Sequence, residues 1–118
     1  MTFDPCSVHS VVFRTAEGAS LAGDILRVAR YALSSLERRY PGLKVAGSSF
    51  TPDALSLLLD FSRCDEDVSR VVQSYKTEVR KLAAREGFQG GHFWQREYSE
   101  KTLESSQEME ALMAEWNL

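Results

Sequence analysis

Residues 54–62 read Ala-Leu-Ser-Leu-Leu-Leu-Asp-Phe-Ser, and their alternation constrains the fold more than any other stretch. Successive side chains of an extended chain point to opposite sides. Leu55, Leu57, Leu59 and Phe61 therefore share one face, and Ala54, Ser56, Leu58 and Asp60 the other. The first set is the main core face and needs a cover. Two segments with helical periodicity can supply it. From Ser20 to about Tyr40, apolar residues recur every three or four positions at Leu21, Ile25, Val28, Ala29, Ala32, Leu36 and Tyr40. From Asp65 to about Glu86 the stripe is Val68, Val71, Val72, Tyr75, Val79, Leu82 and Ala83. Ser20 and Asp65 are suited to cap these helices, and Pro41-Gly42 ends the first.

Three further strands and one helix complete the chain. His9 to Thr15 is β-branched and aromatic. Leu43 to Phe50 reads as a strand weakened by Gly47-Ser48-Ser49, and Thr51-Pro52-Asp53 turns it into residues 54–62. After Arg85-Glu86-Gly87, the segment from Gly90 to Leu103 turns at Gly90-Gly91, sends Phe93 and Trp94 into a core and runs on as a strand. Ser105-x-x-Glu108 is a capping box opening a short helix with Met109, Leu112, Met113 and Trp116 on one face. Residues 1–7 read as a loose lead-in. The first six elements give the split βαβ order of a ferredoxin-like fold: an α+β, βαββαβ sandwich with an extra C-terminal helix. That last helix can cover part of the other sheet face, cap an edge or pack on a partner.

The 118 residues suit a single domain, 1–118, with one core. A net charge of −3 supplies no global field for nucleic acid or anionic membrane and leaves only local basic patches. No apolar run approaches the ~20 residues of a membrane span, and no signal peptide is visible. Cys6 and Cys64 match no metal spacing, so free thiols in a reducing cytoplasm are expected. His9 and His92 are too few for a usual zinc site, and His92 beside Trp94 reads as a partly buried structural histidine rather than an acid–base group. Asp53, Asp60 and Glu115 read more simply as solvated carboxylates than as a metal set. Arg70, Lys76, Arg80, Lys81 and Arg85 spread round the polar side of the second helix, either as a solvated face or as a phosphate track.

The order Gly91-His92-Phe93-Trp94-Gln95-Arg96-Glu97-Tyr98 resembles the Gly-x-x-Trp-Gln-Arg-x-Tyr segment of single-tyrosine HUH transposases, in particular their REP-associated branch. His9-Ser10-Val11-Val12-Phe13-Arg14-Thr15 is similar to the family's first strand, often Tyr-His-Val-x-Phe-Arg-Thr. Ser74-Tyr75-Lys76 is similar to the lysine-bearing turn of its second long helix. In that family a Met-Pro-Asn-His-hydrophobic-His run opens the third strand, and both histidines hold a divalent metal from one strand face. The matching run here is Thr51-Pro52-Asp53-Ala54-Leu55-Ser56, so Ala54 and Ser56 stand where the resemblance places the ligands. The family's nucleophile is a tyrosine on the helix after the last strand, in a Tyr-Ile-x-x-Asn-Pro context. This chain reads Ala111-Leu112-Met113-Ala114-Glu115-Trp116-Asn117-Leu118 there, with no phenol to attack phosphorus. Asn117-Leu118 is a faint echo of Asn-Pro.

The resemblance implies a transposase-like domain that has lost its catalytic residues. The expected function is DNA binding, to a hairpin or a single strand, without cleavage. No catalytic residue, metal or cofactor is assigned. The DNA-binding candidates are Lys76, Arg80, Arg96, Tyr98 and Lys101. A homodimer is expected from the family's habit. The alternatives are a homodimeric structural or protein-interaction module with no DNA role, and a nuclease working through other residues. The acidic last helix, with Glu104, Glu108, Glu110 and Glu115, offsets the basic patch.

Overall fold

The computed structural model describes residues 8–89 and 92–116. The lead-in over residues 1–7 with Cys6, the Gly90-Gly91 turn and the Asn117-Leu118 pair lie outside them. Seven elements follow in order: β1 (Val8–Thr15), α1 (Gly23–Arg39), β2 (Lys44–Thr51), β3 (Ala54–Asp60), α2 (Val68–Arg85), β4 (Trp94–Thr102) and α3 (Ser106–Glu115). The sheet order is β2-β3-β1-β4, with every neighbouring pair antiparallel. This is the ferredoxin-like arrangement expected from the element order. No helix among the described residues is long and apolar enough to cross a membrane.

The alternation in β3 works as anticipated. Leu55, Leu57, Leu59 and Phe61 join Val11 and Phe13 of β1 under α1 and α2. α1 contributes Ala29, Ala32, Leu33 and Leu36, and α2 contributes Val71, Val72, Tyr75, Val79 and Ala83. Leu58 faces the other way and is just as buried. There it packs with Val8 and Leu103 beneath Met109, Leu112, Met113 and Trp116 of α3. Of the three roles open to α3, the structure selects cover for part of the second sheet face.

Two helix starts differ from the sequence expectation. α1 begins at Gly23 with Ala22 as an N-cap that makes no side-chain bond, so Ser20 does not cap it. The Leu21 side chain is buried and its N–H donates to the Pro52 carbonyl at 2.8 Å, which holds the chain extended past Ser20. α2 is capped by Asp67 rather than Asp65, with the Asp67 carboxylate accepting from the Ser69 N–H. The α3 cap is a reciprocal pair shifted by one residue: Ser105 accepts from the Glu108 N–H, and Glu108 reaches back to the Glu104 N–H. Gly42 has a φ of 92°, and a Cβ there would lie 1.8 Å from the Arg63 carbonyl oxygen, so only glycine fits this turn.

β4 departs from a regular ladder. Phe13 pairs with Tyr98, yet Thr15, two residues on, pairs with Trp94, four residues back. β4 therefore carries two more residues than β1 across this interval, and the strand bulges outward. Gln95 and Arg96 sit in the bulge, beside α2.

Candidate nucleic-acid interface

Gln73, Lys76, Thr77 and Arg80 stand at positions i, i+3, i+4 and i+7 and so line one stripe of α2. Opposite them stand His92, Phe93, Trp94, Gln95 and Arg96 at the start of β4. Between the two rows runs a cleft of about 280 Å³. His92, Trp94, Gln95 and Arg96 also wall an adjoining hollow of about 600 Å³ that reaches Ala16. Among the described residues the cleft lining includes three basic side chains, one histidine and no carboxylate. A local basic surface therefore exists despite the net charge of −3.

The walls of the cleft are held by a chain of side-chain bonds. Trp94 is 7% exposed, and its ring packs edge-on against Phe13 and Phe93 at centroid distances of 5.4 and 4.9 Å. Its indole N–H donates to the Lys76 carbonyl at 3.1 Å. The Lys76 ammonium donates in turn to the carbonyls of Gln95 at 3.1 Å and Arg96 at 3.5 Å. Its Nζ also lies 5.9 Å from the centre of the Tyr98 ring, within cation–π range. The Gln95 side-chain amide donates to the Thr15 carbonyl at 3.3 Å, tying the bulge to β1. Burial lowers the Lys76 pKa from its ordinary value. Beneath it, the Tyr75 hydroxyl donates to the Ala29 carbonyl at 2.9 Å, which fixes α2 against α1.

The five DNA-binding candidates separate. Lys76, Arg80 and Arg96 meet at the cleft, with Lys76 buried and both arginines exposed. Tyr98 is half-buried on the same side of the sheet, edge-on to Phe13. Its phenol pKa is raised, first by burial and then by the Glu100 and Asp67 carboxylates, which keeps it protonated. Lys101 lies on the opposite face and pairs with Glu108 of α3. Of the remaining basic residues on α2, Arg70 pairs with Glu66 and Lys81 borders a different groove with Arg39 and Glu78. His92 is exposed at the cleft rim, not partly buried as the sequence suggested. Gln73, Thr77 and Gln95 were not among the candidates, although the spacing of Gln73 and Thr77 relative to Lys76 and Arg80 marks them as neighbours.

Ala54 and Ser56 lie on the α3 side of the sheet, in the same row as Leu58. Ser56 is flanked by Val12 on β1 and Ser49 on β2. A shallow groove of about 200 Å³ along β1 and β4 is lined by Val12, Arg14, Gln95, Glu97, Tyr98 and Ser99. His9 sits at the far end of β1 from His92, with its Nδ1 2.5 Å from a Glu100 carboxylate oxygen. Among the described residues no three His, Cys, Asp or Glu side chains converge on a point that could hold a metal ion.

No protein-family model matches this sequence, and no curated protein sequence does. Solved structures do match. A REP-associated tyrosine transposase bound to a REP hairpin superposes with a TM-score of 0.75 at 12% identity, over 95% of this chain and 65% of its own length. A candidate transposase from Deinococcus radiodurans R1 superposes with a TM-score of 0.67 at 18% identity, over 93% of this chain and 88% of its own. This chain thus spans about two thirds of the REP-associated transposase. At these identities the likeness is one of fold, and the fold of this chain is transposase-like.

Proposed function

We propose that this chain binds DNA, single-stranded or folded into a hairpin, and does not cleave it. The observation that carries this reading is the cleft between α2 and β4, where Arg80, Arg96 and His92 converge and no carboxylate lies among the described lining residues. Arginine side chains there suit phosphate oxygens, and Gln73, Thr77 and Gln95 add neutral hydrogen-bonding groups beside them. The neighbouring transposase structure that holds a REP hairpin lends the reading support by analogy of fold.

The absence of cleavage follows from the residues at the positions the family resemblance marks. A methyl group at Ala54 and a hydroxyl at Ser56 do not replace two imidazoles as metal ligands. Tyr98 is a poor nucleophile because its environment holds the phenol proton.

The test is fluorescence anisotropy with a hairpin oligonucleotide and a scrambled single strand across a salt series. Each phosphate contact contributes a log–log slope of about −0.7 on single strands and about −0.9 on duplex. Arg80→Ala and Arg96→Ala are both expected to weaken binding and to flatten the slope by about one contact each. Both residues are exposed, so these changes leave the fold intact. No binding to either oligonucleotide at low salt would overturn the proposal in favour of a homodimeric interaction module.

A further inference from the structure

We propose that Lys76 is a positioning residue, which holds the β4 bulge in place so that Arg96 and Gln95 face the cleft, and that it makes no phosphate contact itself. The inference rests on the DNA-binding reading only for its second half.

The geometry around the ammonium carries it. A lysine ammonium has three N–H donors and no acceptor. Two of them are taken by the Gln95 and Arg96 carbonyls, and Nζ sits against the Tyr98 ring. The side chain is 7% exposed although it lines an open cleft. With two donors committed to carbonyls and the residue almost wholly buried, little of the ammonium is open to a phosphate oxygen. The bulge supplies the reason for this arrangement. Between the Thr15–Trp94 and Phe13–Tyr98 pairs, Gln95, Arg96 and Glu97 have no partner residue on β1. The carbonyls of Gln95 and Arg96 find a partner in the lysine head group instead. The link closes on itself, because the lysine's own carbonyl accepts from the indole of Trp94, the residue just before the bulge. One residue of α2 thus ties down both the root of the bulge, at Trp94, and its crest, at Gln95 and Arg96. Arg80, one turn further along α2, is exposed and makes no such bond among the described residues.

Lys76→Met keeps the length and apolar stem of the side chain and removes the donors. Lys76→Gln, which retains an uncharged amide donor group on a shorter side chain, serves if the methionine variant does not fold. Two readouts separate the roles. The first is amide hydrogen exchange of residues 95–98 in the free protein. Exchange there is expected to speed up in Lys76→Met while the β1–β3 ladder stays protected. The second is the salt dependence of oligonucleotide binding. Lys76→Met is expected to shift the log–log line to weaker affinity with its slope unchanged, whereas Arg80→Ala flattens the slope by about 0.7 on a single strand. Unchanged exchange over residues 95–98 would overturn the positioning role. A slope flattened by a full contact in Lys76→Met would overturn the claim that the lysine avoids phosphate. If the unaltered protein binds no oligonucleotide, the DNA-binding reading fails, and the exchange measurement still decides what Lys76 does to the bulge.

Discussion

The two faces of the sheet differ in depth and in chemistry. On the α1–α2 side, Phe13, Tyr75, Phe93 and Trp94 form an aromatic cluster. Every polar atom drawn into that cluster has a partner: the Tyr75 hydroxyl, the indole N–H and the lysine ammonium all end on carbonyls. On the α3 side, cover is thinner. α3 has no fully buried residue, and the described apolar residues fully buried beneath it are Val8, Leu58 and Leu103. Further along the same face stand Ala54, Ser56, Val12 and Arg14, half-buried or exposed. The aromatic, hydrogen-bonded face builds a rigid wall for a basic cleft. The other holds small side chains where the resemblance to HUH transposases would place metal ligands. A scaffold can keep a recognition surface on one face while losing the chemistry of the other, because the two share only the backbone of the sheet.

The largest effect expected from this contrast is on stability. Trp94→Ala removes the ring that Phe13, Tyr75 and Phe93 pack against, and should cost about 3–5 kcal/mol by chemical denaturation. A change within about 0.5 kcal/mol, the size usual for surface substitutions, would mean that the indole is not part of the core.

Leu57 and Leu58 sharpen the comparison, being adjacent, identical in type and almost wholly buried on opposite faces. Each truncation to alanine should fall within about 2–5 kcal/mol, with Leu57 near the top and Leu58 near the bottom. α3 can settle into the space that Leu58 leaves, whereas the two packed helices over Leu57 cannot. Equal losses would show that the two faces are equally well packed.

A smaller effect concerns the ion pair that helps dock α3. Hydrogen bonding to Lys101, and then to the Glu104 N–H, lowers the Glu108 pKa below its ordinary 4.5, while bonding to Glu108 raises that of Lys101. A carboxyl whose pKa is lower in the folded state contributes stability above its unfolded pKa and loses it as pH falls through the folded value. Docking of α3 should therefore weaken on acidification below about pH 4.5. Trp116 fluorescence in a Trp94→Phe background would report it as a red shift that Glu108→Gln abolishes. A shift of the same size in Glu108→Gln would assign it to other carboxylates. On the same face the expected effect is nil for chemistry. Incubation with single-stranded DNA and magnesium or manganese should yield no covalent adduct, and a tyrosine-linked product on a denaturing gel would refute the account of Ala54 and Ser56.

The sequence revealed the fold wherever periodicity alone decided it. The alternation of β3 and the two helical stripes leave few other ways to bury their apolar residues, and the structure follows them. Helix starts were less legible, because Ser20 and Asp65 are good caps locally and lose to tertiary bonds, such as the one from the Leu21 N–H to Pro52. Two lessons concern the site. Lys101 looked like a neighbour of Arg96 and Tyr98, but it lies three residues from Tyr98, and an odd step along a strand changes face. The parity was readable, and it separates Lys101 from the cleft. The bulge was not readable. It depends on a lysine of α2, nineteen residues before Gln95, whose head group replaces the missing ladder. No local pattern in residues 94–98 marks the two extra residues.

The most direct test of whether the α2–β4 cleft binds DNA is amide chemical-shift mapping during titration with a hairpin oligonucleotide at low salt. The expected result is a contiguous set of shifts over Gln73, Thr77, Arg80, Gln95 and Arg96, with Val12, Ala54 and Ser56 unmoved. Shifts centred on Ala54 and Ser56, or none at saturating oligonucleotide, would contradict the assignment of DNA binding to the α2–β4 cleft.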